Sequence, residues 1–336
     1  MKAAVFGEHG QIRVVERERP EPRPGWVVLD VSAVGICGSD LNLLYASDGS
    51  KGVQPGHEVA GIVSSVGDGV DLASGSQVAV EPIRSCGTCY YCRCGKHNLC
   101  TSVRLFGFAA PGGMAEWMTV PASALYALPP DLPVSVAALA EPMAVCVRGA
   151  RIARLDMHDR VAILGAGSIG LLSIVAARAA GAGEVLITAR HPHQQELARA
   201  LGADQVFDSH AALLAAVGDQ HVDVVIETVG GKADTLDEAV QIARSGGRIV
   251  MLGVFEGSPS IPGMAFFVKE LTLAASNCYG RESRQPDFAI AVQLVSRHAG
   301  LLAPLVTHTF SLDQVANAFA TAADKSNRSI KVQVQP

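Results

Sequence analysis

Five of the eight cysteines in this 336-residue chain fall within one short segment, CGTCYYCRCGKHNLC, between Cys86 and Cys100. Four of them, Cys86, Cys89, Cys92 and Cys100, have the spacing C-x2-C-x2-C-x7-C. Close thiolate pairs of this kind suit the tetrahedral four-sulfur shell of a structural zinc, which leaves no position open for a substrate. Cys94 is the surplus thiol, and we expect it to stay outside the shell. A loop of free or disulfide-linked cysteines is the alternative interpretation.

A second set of metal-binding residue types lies upstream, in the segments GICGSD and PGHEVAG. Cys37, His57 and Glu58 would give a mixed thiolate, imidazole and carboxylate shell. Such a shell suits zinc, and three protein ligands leave one position open for water or substrate. Asp40 is a candidate partner for the second ring nitrogen of His57, because metal-bound histidines usually donate that nitrogen's proton to a carboxylate or carbonyl. Spacing alone leaves open that His57 is an ordinary loop histidine and Cys37 a small buried hydrophobe.

A glycine-rich motif lies near the middle of the chain. LGAGSIG contains Gly165, Gly167 and Gly170 as G-x-G-x-x-G, directly after the predicted strand VAIL and at the start of a predicted helix. In a dinucleotide site the first glycine permits a tight turn, the second lets the pyrophosphate approach the backbone, and the third lets helix and strand pack closely. The phosphates then lie at the helix N-terminus, beside Ser168 and Ile169. A glycine-rich turn without a ligand is the alternative.

The end of the next predicted strand, EVLIT, bears on which dinucleotide binds. An acidic residue there would accept hydrogen bonds from the 2′-hydroxyl of NAD. The chain instead continues with Ala189, Arg190 and His191 and has no carboxylate before the following helix. A small residue beside a guanidinium leaves room for a 2′-phosphate and can pair with it bidentately, which favours NADP(H) over NAD(H). The alternative is that Arg190 is a solvated loop arginine. Thr228 and Gly253 are further candidates for contact with the coenzyme.

The candidate residues described above lie in two segments of the chain that differ in sequence pattern. Up to about residue 140 the chain is β-rich, with alternating runs such as VVLDVSAVGI separated by Pro and Gly clusters. Over residues 146–275 predicted strands alternate with predicted helices, which indicates a parallel sheet with helices on both faces. A helical stretch, a short extended segment, another helix and a final strand complete the chain. The pattern therefore predicts an α/β protein with more than one domain.

Composition and charge argue against several classes of function. Apolar residues make up 49% and charged residues 18% of the chain, and the formal net charge of −5 comes without any basic run. This balance argues against a nucleic-acid surface. The N-terminus lacks the apolar region of a secretory signal, and the long apolar stretch over 161–177 is interrupted by glycines. We therefore expect a cytoplasmic protein without a membrane or nucleic-acid partner, in which clustered thiols bind metal rather than form disulfides.

Together these residues resemble the zinc-dependent medium-chain dehydrogenase/reductase superfamily, in particular its sorbitol and threonine dehydrogenase-like branch. GHEVAGIVSSVGDGV matches the family pattern G-H-E-x2-G-x5-G-x2-V at every fixed position, and the cysteine loop and GAGSIG match its structural-zinc lobe and coenzyme motif. The resemblance covers essentially the whole chain. It implies a GroES-like β-rich catalytic domain over 1–145 with the zinc lobe at 86–100, a Rossmann domain over 146–278 with a doubly wound parallel sheet, and a C-terminal return to the catalytic domain over 279–336.

The resemblance also implies roles for individual residues. Cys37 and His57 become ligands of a catalytic zinc, and Glu58 becomes a ligand or a close partner whose contact changes during turnover. Glu141 stands where the alcohol dehydrogenase branch has a zinc cysteine and the polyol branch has glutamate, so we expect it as a ligand, directly or through water. Ser39 matches the Ser or Thr that hydrogen-bonds the substrate hydroxyl and passes its proton outward.

The activity implied is interconversion of a polyol-, sugar- or cyclitol-like secondary alcohol and its ketone, with two zinc ions per chain and NADP(H) favoured. One position departs from the family, since most polyol dehydrogenases that resemble this chain have aspartate at Ala189 and use NAD. Relatives are commonly tetramers or dimers, so we expect a homotetramer or homodimer. The alternatives are an NAD-dependent alcohol or threonine-type dehydrogenase, a zinc-free quinone or enoyl reductase, and a noncatalytic NADPH-binding redox sensor. A zinc-free reductase would lack both sets of metal-binding residues.

Overall fold

The computed structural model describes residues 1–8, 10–45, 51–218 and 222–336. It divides into two compact units, one formed by Met1–Glu141 and Gly280–Pro336 and the other by Pro142–Tyr279. These bounds lie close to those predicted at 145 and 278. The boundary between Glu141 and Pro142 lies inside a continuous helix, Ala140–Ile152. No change in sequence pattern therefore marks where the first unit ends.

The β-strands run through both units. In chain order they are β1 (Lys2–Phe6), β2 (Ile12–Glu16), β3 (Trp26–Gly35), β4 (Glu58–Val66), β5 (Gln77–Val80), β6 (Ile83–Arg84), β7 (Arg104–Leu105), β8 (Trp117–Pro121), β9 (Leu125–Ala127), β10 (Arg160–Leu164), β11 (Glu184–Thr188), β12 (Gln205–Phe207), β13 (Val222–Glu227), β14 (Ala243–Met251), β15 (Thr272–Ala275), β16 (Val306–Ser311) and β17 (Lys331–Gln335).

The helices are concentrated in the second unit and the C-terminal part of the chain. They are α1 (Gly38–Tyr45), α2 (Tyr90–Arg93), α3 (Val134–Ala137), α4 (Ala140–Ile152), α5 (Ser168–Ala179), α6 (Pro192–Ala200), α7 (His210–Val217), α8 (Thr235–Ile242), α9 (Gly263–Val268), α10 (Asp287–Arg297), α11 (Ala299–Leu302) and α12 (Val315–Ala323).

A mainly antiparallel sheet organises the first unit. Its strand order is β16-β17-β3-β4-β5-β9, and β8 also pairs with β3. The central strand β3 pairs antiparallel with β4, β8 and β17, and buries Val27, Leu29 and Val31 in the core of the unit. The pairing with β17 ties the last strand of the chain to the segment that precedes Cys37. Residues far apart in sequence therefore meet at the end of β3.

The second unit contains a six-stranded parallel sheet of order β12-β11-β10-β13-β14-β15. Each neighbouring pair is parallel. Counted from β10, this is the order 3-2-1-4-5-6 of a dinucleotide-binding fold, in which ligands bind outside the carboxyl ends of the strands. Buried apolar runs such as 161–164 are typical of strands covered on both faces. The predicted parallel α/β architecture is confirmed.

Several short elements of this unit escaped the sequence pattern. They are β12, α7, α9 and β15, each too short to show a clear periodicity. The helix predicted from ADTLDEAVQIARSG also ends early. It stops at Ile242, and Ala243 already has the extended backbone that begins β14. Two glycines follow within this strand, and Gly246 has a positive φ of 69° that a regular helix does not allow.

Within the described ranges, no single helix has both the length and the apolar character needed to cross a membrane. The bent pair Asp287–Arg297 and Ala299–Leu305, with an angle of 88° between its parts, meets these two criteria only when the parts are taken together.

Candidate catalytic and structural metal sites

The four predicted structural-zinc cysteines come together beyond the paired strands β6 and β7. The sulfur atoms of Cys86, Cys89, Cys92 and Cys100 all lie within 4.8 Å of one another. The Sγ of Cys92 is 3.9 Å from that of Cys86 and 3.5 Å from that of Cys89. A tetrahedral shell with Zn–S bonds of about 2.3 Å places its sulfurs about 3.8 Å apart. Cys94 is exposed and lies outside this group, and none of the eight cysteines, all of which lie in the described ranges, forms a disulfide.

Backbone N–H groups donate hydrogen bonds to two sulfur atoms of this cluster and stabilise their thiolate form. The N–H of Cys89 donates to Cys86 Sγ at 3.3 Å, and the N–H of Cys86 donates to Cys100 Sγ at 3.3 Å. The backbone of Thr88 and that of Cys89 lower the pKa of Cys86 to about 6, whereas burial raises the pKa of Cys92 to about 11. Metal binding requires deprotonated sulfur, so a cation would deprotonate the buried thiol on entry. The donor set and its spacing fit zinc.

The second metal-binding group forms at the start of two elements of the first unit. Cys37 immediately precedes α1, and His57 immediately precedes β4, which begins at Glu58. One ligand atom from each of these residues lies within 4.8 Å of the other two. His57 and Glu58 are buried, whereas Cys37 is half-buried. The group therefore offers sulfur, nitrogen and oxygen donors with one side less enclosed than the other, which fits a metal with an open position.

Asp40 supports this group from the first turn of α1. Its carboxylate is fully buried; Oδ2 accepts a hydrogen bond from the Cys37 N–H at 2.9 Å, and Oδ1 lies 3.4 Å from His57 Nδ1. Burial would lower the pKa of His57, but Asp40 and then Cys37 outweigh burial and raise this pKa well above its usual value. Because Nδ1 faces Asp40, Nε2 is the ring nitrogen placed to bind a metal.

The carboxylate of Glu58 is held by a lysine that no motif predicted. Lys331, the first residue of β17, donates from Nζ to Oε1 of Glu58 at 2.6 Å, to Oε2 at 2.7 Å and to the Ile36 carbonyl at 3.3 Å. Burial would lower the pKa of Lys331, but the charges of Glu58 and Cys37 outweigh burial and raise it. Both oxygens of Glu58 are thus engaged by the lysine. Direct contact between Glu58 and a metal would have to compete with this ion pair.

Two glycines make room for this arrangement. A Cβ at Gly35 would lie 1.8 Å from Glu58 Oε2, and a Cβ at Gly56 would lie 2.7 Å from Val34 Cγ1. Gly56 also has a φ of 97°, which side-chain-bearing residues rarely adopt. The glycine that begins the G-H-E motif is therefore required both by space and by backbone conformation, and it sets the direction in which His57 and Glu58 leave the turn.

Two further predicted catalytic residues belong to the same unit. Ser39 is half-buried in the first turn of α1. Glu141 is buried in the first turn of α4, and its charge helps to raise the pKa of Lys331. Its carboxylate is not part of the set of ligand atoms that lie within 4.8 Å of one another. The proton relay through Ser39 and metal ligation by Glu141 stay predictions.

In the second unit the glycine motif forms a turn between β10 and α5. Gly165 has a φ of 95°, and a Cβ at Gly170 would lie 1.9 Å from the Gly165 carbonyl oxygen. A Cβ at Gly167 would meet no atom within 4 Å, so the space beside the helix N-terminus is open. The backbone N–H groups of Ser168 and Ile169, in the first turn of α5, lack partners within the helix. The turn therefore fits the pyrophosphate of a dinucleotide.

The segment after β11 lies at the same edge of the sheet, because β10 and β11 are parallel neighbours with Ile163 opposite Ile187. Ala189 is fully buried, Arg190 is exposed, and His191 caps the N-terminus of α6. Within the described ranges, the Arg190 guanidinium forms neither a hydrogen bond nor an ion pair. It is thus available to an anion at this edge.

Thr228 and Gly253 shape the same region. The hydroxyl of Thr228 donates to the carbonyl of Leu164 at 2.7 Å and to that of Gly165 at 3.3 Å, which closes the glycine turn. A Cβ at Gly253 would lie 2.4 Å from Oε2 of Glu227. Glu227, which no motif predicted, is fully buried, and its Oε1 accepts hydrogen bonds from two backbone N–H groups and one threonine hydroxyl. It holds the turn that follows β13 in place.

Comparison with known proteins agrees with this arrangement. Residues 23–130 match the alcohol dehydrogenase GroES-like domain, and residues 168–297 match the zinc-binding dehydrogenase domain. The chain is 33% identical to 2-dehydro-3-deoxy-L-galactonate 5-dehydrogenase of Pseudoalteromonas atlantica, over 100% of this chain and 98% of that protein. It belongs to the zinc-dependent medium-chain dehydrogenase/reductase superfamily.

Two further members of this superfamily are similar over nearly their whole length. Sorbitol dehydrogenase of Bacillus subtilis is 31% identical, over 100% of this chain and 97% of that protein. The crystal structure of a zinc-binding dehydrogenase from Sinorhizobium meliloti bound to NADP superimposes with a TM-score of 0.90 and 32% identity, covering 100% of this chain and 99% of that one.

The superfamily assignment determines the general class of the protein. It is a zinc-dependent alcohol or polyol dehydrogenase of the sorbitol and threonine dehydrogenase-like branch. The predicted combination of a GroES-like domain and a Rossmann domain is confirmed. Zinc and a nicotinamide dinucleotide are the cofactors of this class, and both donor groups and the glycine turn fit them. The assignment favours an enzyme over a noncatalytic NADPH-binding protein.

Proposed function

We propose that this dehydrogenase interconverts a secondary alcohol and its ketone by hydride transfer with NADP(H). The observation that carries the proposal is the grouping of Cys37, His57 and Glu58 within 4.8 Å. Three protein ligands of this mixed type leave one position of a zinc shell for the substrate oxygen. The open glycine turn in the second unit supports the coenzyme part of the proposal.

Two zinc ions per chain are part of the proposal. Four sulfurs fill the shell of a structural ion, which is held by Cys86, Cys89, Cys92 and Cys100. Cys37 and His57 would hold the catalytic ion, with Glu58 and Glu141 as further ligands or close partners. A zinc ion bound there supplies Lewis acidity, which makes the hydroxyl of a bound alcohol easier to deprotonate.

The residues around this second site orient the ligands and balance charge. Asp40 fixes the imidazole of His57 and the backbone of Cys37 through one carboxylate. Lys331 offsets the charge of Glu58, in a site that also gathers the Cys37 sulfur and Glu141. Ser39, half-buried in the first turn of α1, is proposed to accept the proton of the substrate hydroxyl and pass it outward.

The coenzyme is proposed to be NADP(H) in preference to NAD(H). The nicotinamide ring supplies the hydride chemistry. Ala189 directly follows β11, at the position where a carboxylate would favour NAD, and its buried methyl group leaves Arg190 as the nearest charged group in sequence. The guanidinium can pair with a 2′-phosphate bidentately, with His191 beside it. The NADP bound to the similar Sinorhizobium meliloti protein supports this preference.

The substrate is proposed to be a polyol-, sugar- or cyclitol-like secondary alcohol. Two relatives with about the same identity are named for polyhydroxylated compounds, a deoxygalactonate and sorbitol. Glu141 also stands at the position where the polyol branch has glutamate. A threonine-type or simple alcohol substrate is the alternative that the following experiment separates.

The test is a set of initial rates with NADP⁺ and NAD⁺ over polyols, cyclitols, threonine and simple secondary alcohols. We expect oxidation of a polyhydroxylated secondary alcohol, with kcat/KM for NADP⁺ at least about tenfold above that for NAD⁺. A preference for NAD⁺ would contradict the coenzyme assignment. Oxidation of threonine or simple alcohols alone would contradict the substrate class.

We further propose that the protein forms homodimers or homotetramers. Met264, Phe267 and Val268 on α9 are exposed at 76%, 78% and 68%, and Val254, soon after β14, is exposed at 73%. The strand β15 that follows pairs only with β14 among the described strands, so its other edge is open. Phe267→Asp should reduce the mass measured by light scattering, whereas Met157→Asp, at an equally exposed apolar position, should not. Equal masses for both variants would count against this interface.

A further inference from the structure

Two arginines of the first unit lie over the ring of Trp26, and a third stands opposite one of them on a paired strand. The guanidinium carbon of Arg23 lies 3.5 Å from the centroid of the Trp26 ring, and that of Arg84 lies 5.1 Å from it and 5.5 Å from Phe106. Arg104 stands directly opposite Arg84 in the pairing of β6 with β7. In the part of the chain that the structure describes, no residue accepts a hydrogen bond from these guanidinium groups or forms an ion pair with them.

The described residues provide no acidic partner for the like charges of this cluster, in which Arg23 and Arg104 are exposed and Arg84 is half-buried. Like charges directly opposite on paired strands destabilise the pair. Arg23 and Arg84 also lie over the same Trp26 ring, which brings a third positive charge close to this pair. The chain as a whole carries a formal net charge of −5, so the positive charge of this cluster is local and not a property of the whole protein. A bound anion would remove the repulsion.

The guanidinium groups of Arg23 and Arg84 lie over aromatic rings. Each carries five N–H donors in one plane. Stacking on an aromatic ring fixes that plane and leaves the donor edges free to meet oxygen atoms. Trp26 is half-buried and Phe106 is buried, so both rings are held in place by the fold.

The cluster lies at the base of the cysteine lobe. Arg84 is the last residue of β6, just before Cys86, and Arg104 is the first residue of β7, just after Cys100. Arg23 precedes β3 of the main sheet. An anion held by all three would therefore join both strands of the lobe to the main sheet. None of these arginines belongs to a metal group or to the glycine turn, so the site is independent of the proposed function.

We propose that Arg23, Arg84 and Arg104 form a binding site for a phosphate-class anion at the base of the cysteine lobe. Phosphate suits three guanidinium groups because it offers several oxygens for bidentate pairing and carries between one and two negative charges at neutral pH. A carboxylate offers one charge and one bidentate edge, and should bind more weakly.

The test uses one of the two tryptophans as a reporter. Trp117→Phe leaves Trp26 as the sole tryptophan of the chain. Inorganic phosphate is added to this zinc-loaded variant while tryptophan fluorescence and the thermal unfolding midpoint are recorded. We expect a saturable change in fluorescence and a rise in the midpoint, with no saturable change for chloride at equal ionic strength.

Charge-removing variants locate the site. In the same background, Arg84→Gln and Arg104→Gln should each weaken phosphate binding by about tenfold or more. Arg19→Gln is the matched control, because the Arg19 guanidinium carbon lies 4.4 Å from the ring centroid of the other tryptophan, Trp117. This variant should leave phosphate binding unchanged.

A polyol phosphate monoester serves as a second probe. Tighter binding of the ester would assign the site to phosphorylated metabolites, and equal binding would assign it to free phosphate.

The coenzyme site is a second place where phosphate can bind, so Arg190→Ala is included. The Trp26 signal should persist in this variant. Its loss there would assign the signal to the coenzyme site and overturn the proposal. The proposal would equally fail if chloride reproduced the response, if neither readout changed with phosphate, or if Arg84→Gln and Arg104→Gln bound phosphate as tightly as the parent. Dehydrogenase activity reports separately on the proposed function.

Discussion

Replacing Lys331 by methionine removes the cation that holds Glu58 while keeping a side chain of similar length. The two side chains are 2% and 1% exposed and 2.6 Å apart, so solvent hardly screens the interaction. Breaking a buried ion pair by removing one partner costs about 3–5 kcal/mol, because the other charge is left buried without a partner. We expect Lys331→Met to lower the free energy of unfolding by about this amount.

The assay is urea unfolding of zinc-loaded protein at pH 7, followed by circular dichroism. The pKa of Lys331 is raised, so the lysine is fully charged in the folded protein at this pH and the pair contributes at full strength. Glu58→Gln and the double variant complete a double-mutant cycle, in which we expect a coupling of about 2 kcal/mol or more.

An exposed pair provides the control for this cycle. Lys2 and Asp313 are 2.8 Å apart, but their side chains are 42% and 62% exposed. Lys2→Met should therefore cost much less than Lys331→Met, because solvent screens the exposed pair. Additive effects of Lys331→Met and Glu58→Gln, or a cost of Lys331→Met no larger than that of Lys2→Met, would contradict a strong buried ion pair between Lys331 and Glu58.

Three further predictions concern the second unit. Arg190→Ala should raise KM for NADP⁺ by about 10- to 100-fold and leave KM for NAD⁺ nearly unchanged, since the lost contact is to the 2′-phosphate; equal effects on both would contradict this role. Gly167→Ala should leave the thermal midpoint unchanged but weaken NADPH binding by about tenfold, whereas Gly170→Ala should lower the midpoint, because its Cβ would lie 1.9 Å from a carbonyl oxygen. Burial would raise the pKa of Asp223, but hydrogen bonds from a backbone N–H and a guanidinium lower it. The folded pKa thus lies below the unfolded one, so Asp223→Asn should cost about 1 kcal/mol at pH 7 and progressively less as pH falls through the folded pKa. A cost independent of pH would contradict that assignment.

The sequence predicted best those features whose parts lie within one short segment. Four cysteines within fifteen residues and three glycines at the start of a helix can be recognised from spacing, because the chemistry fixes the spacing. The metal group of Cys37, His57 and Glu58 could be predicted only with the help of the family resemblance. The antiparallel pairing that places Gly35 opposite Glu58 cannot be read from either short motif. The parallel sheet followed from the alternation of strands and helices.

Lys331 shows why other features could not be predicted. It is 273 residues from Glu58 in sequence, and nothing in IKVQVQ distinguishes this lysine from one that faces solvent. Its position depends on β17 pairing with β3, a long-range contact that local periodicity does not encode. The early end of α8 has a similar origin, because Ala243 already belongs to a strand that pairs with β13.

We propose that the chain divides its zinc between a catalytic and a structural site. The most direct measurement is zinc content, with activity and circular dichroism, for the wild type, Cys37→Ser and Cys89→Ser. We predict two zinc ions in the wild type, and one zinc, a native fold and no turnover in Cys37→Ser. Cys89→Ser should lose one zinc and stability together. Two zinc ions or full turnover in Cys37→Ser would contradict a catalytic zinc bound by Cys37.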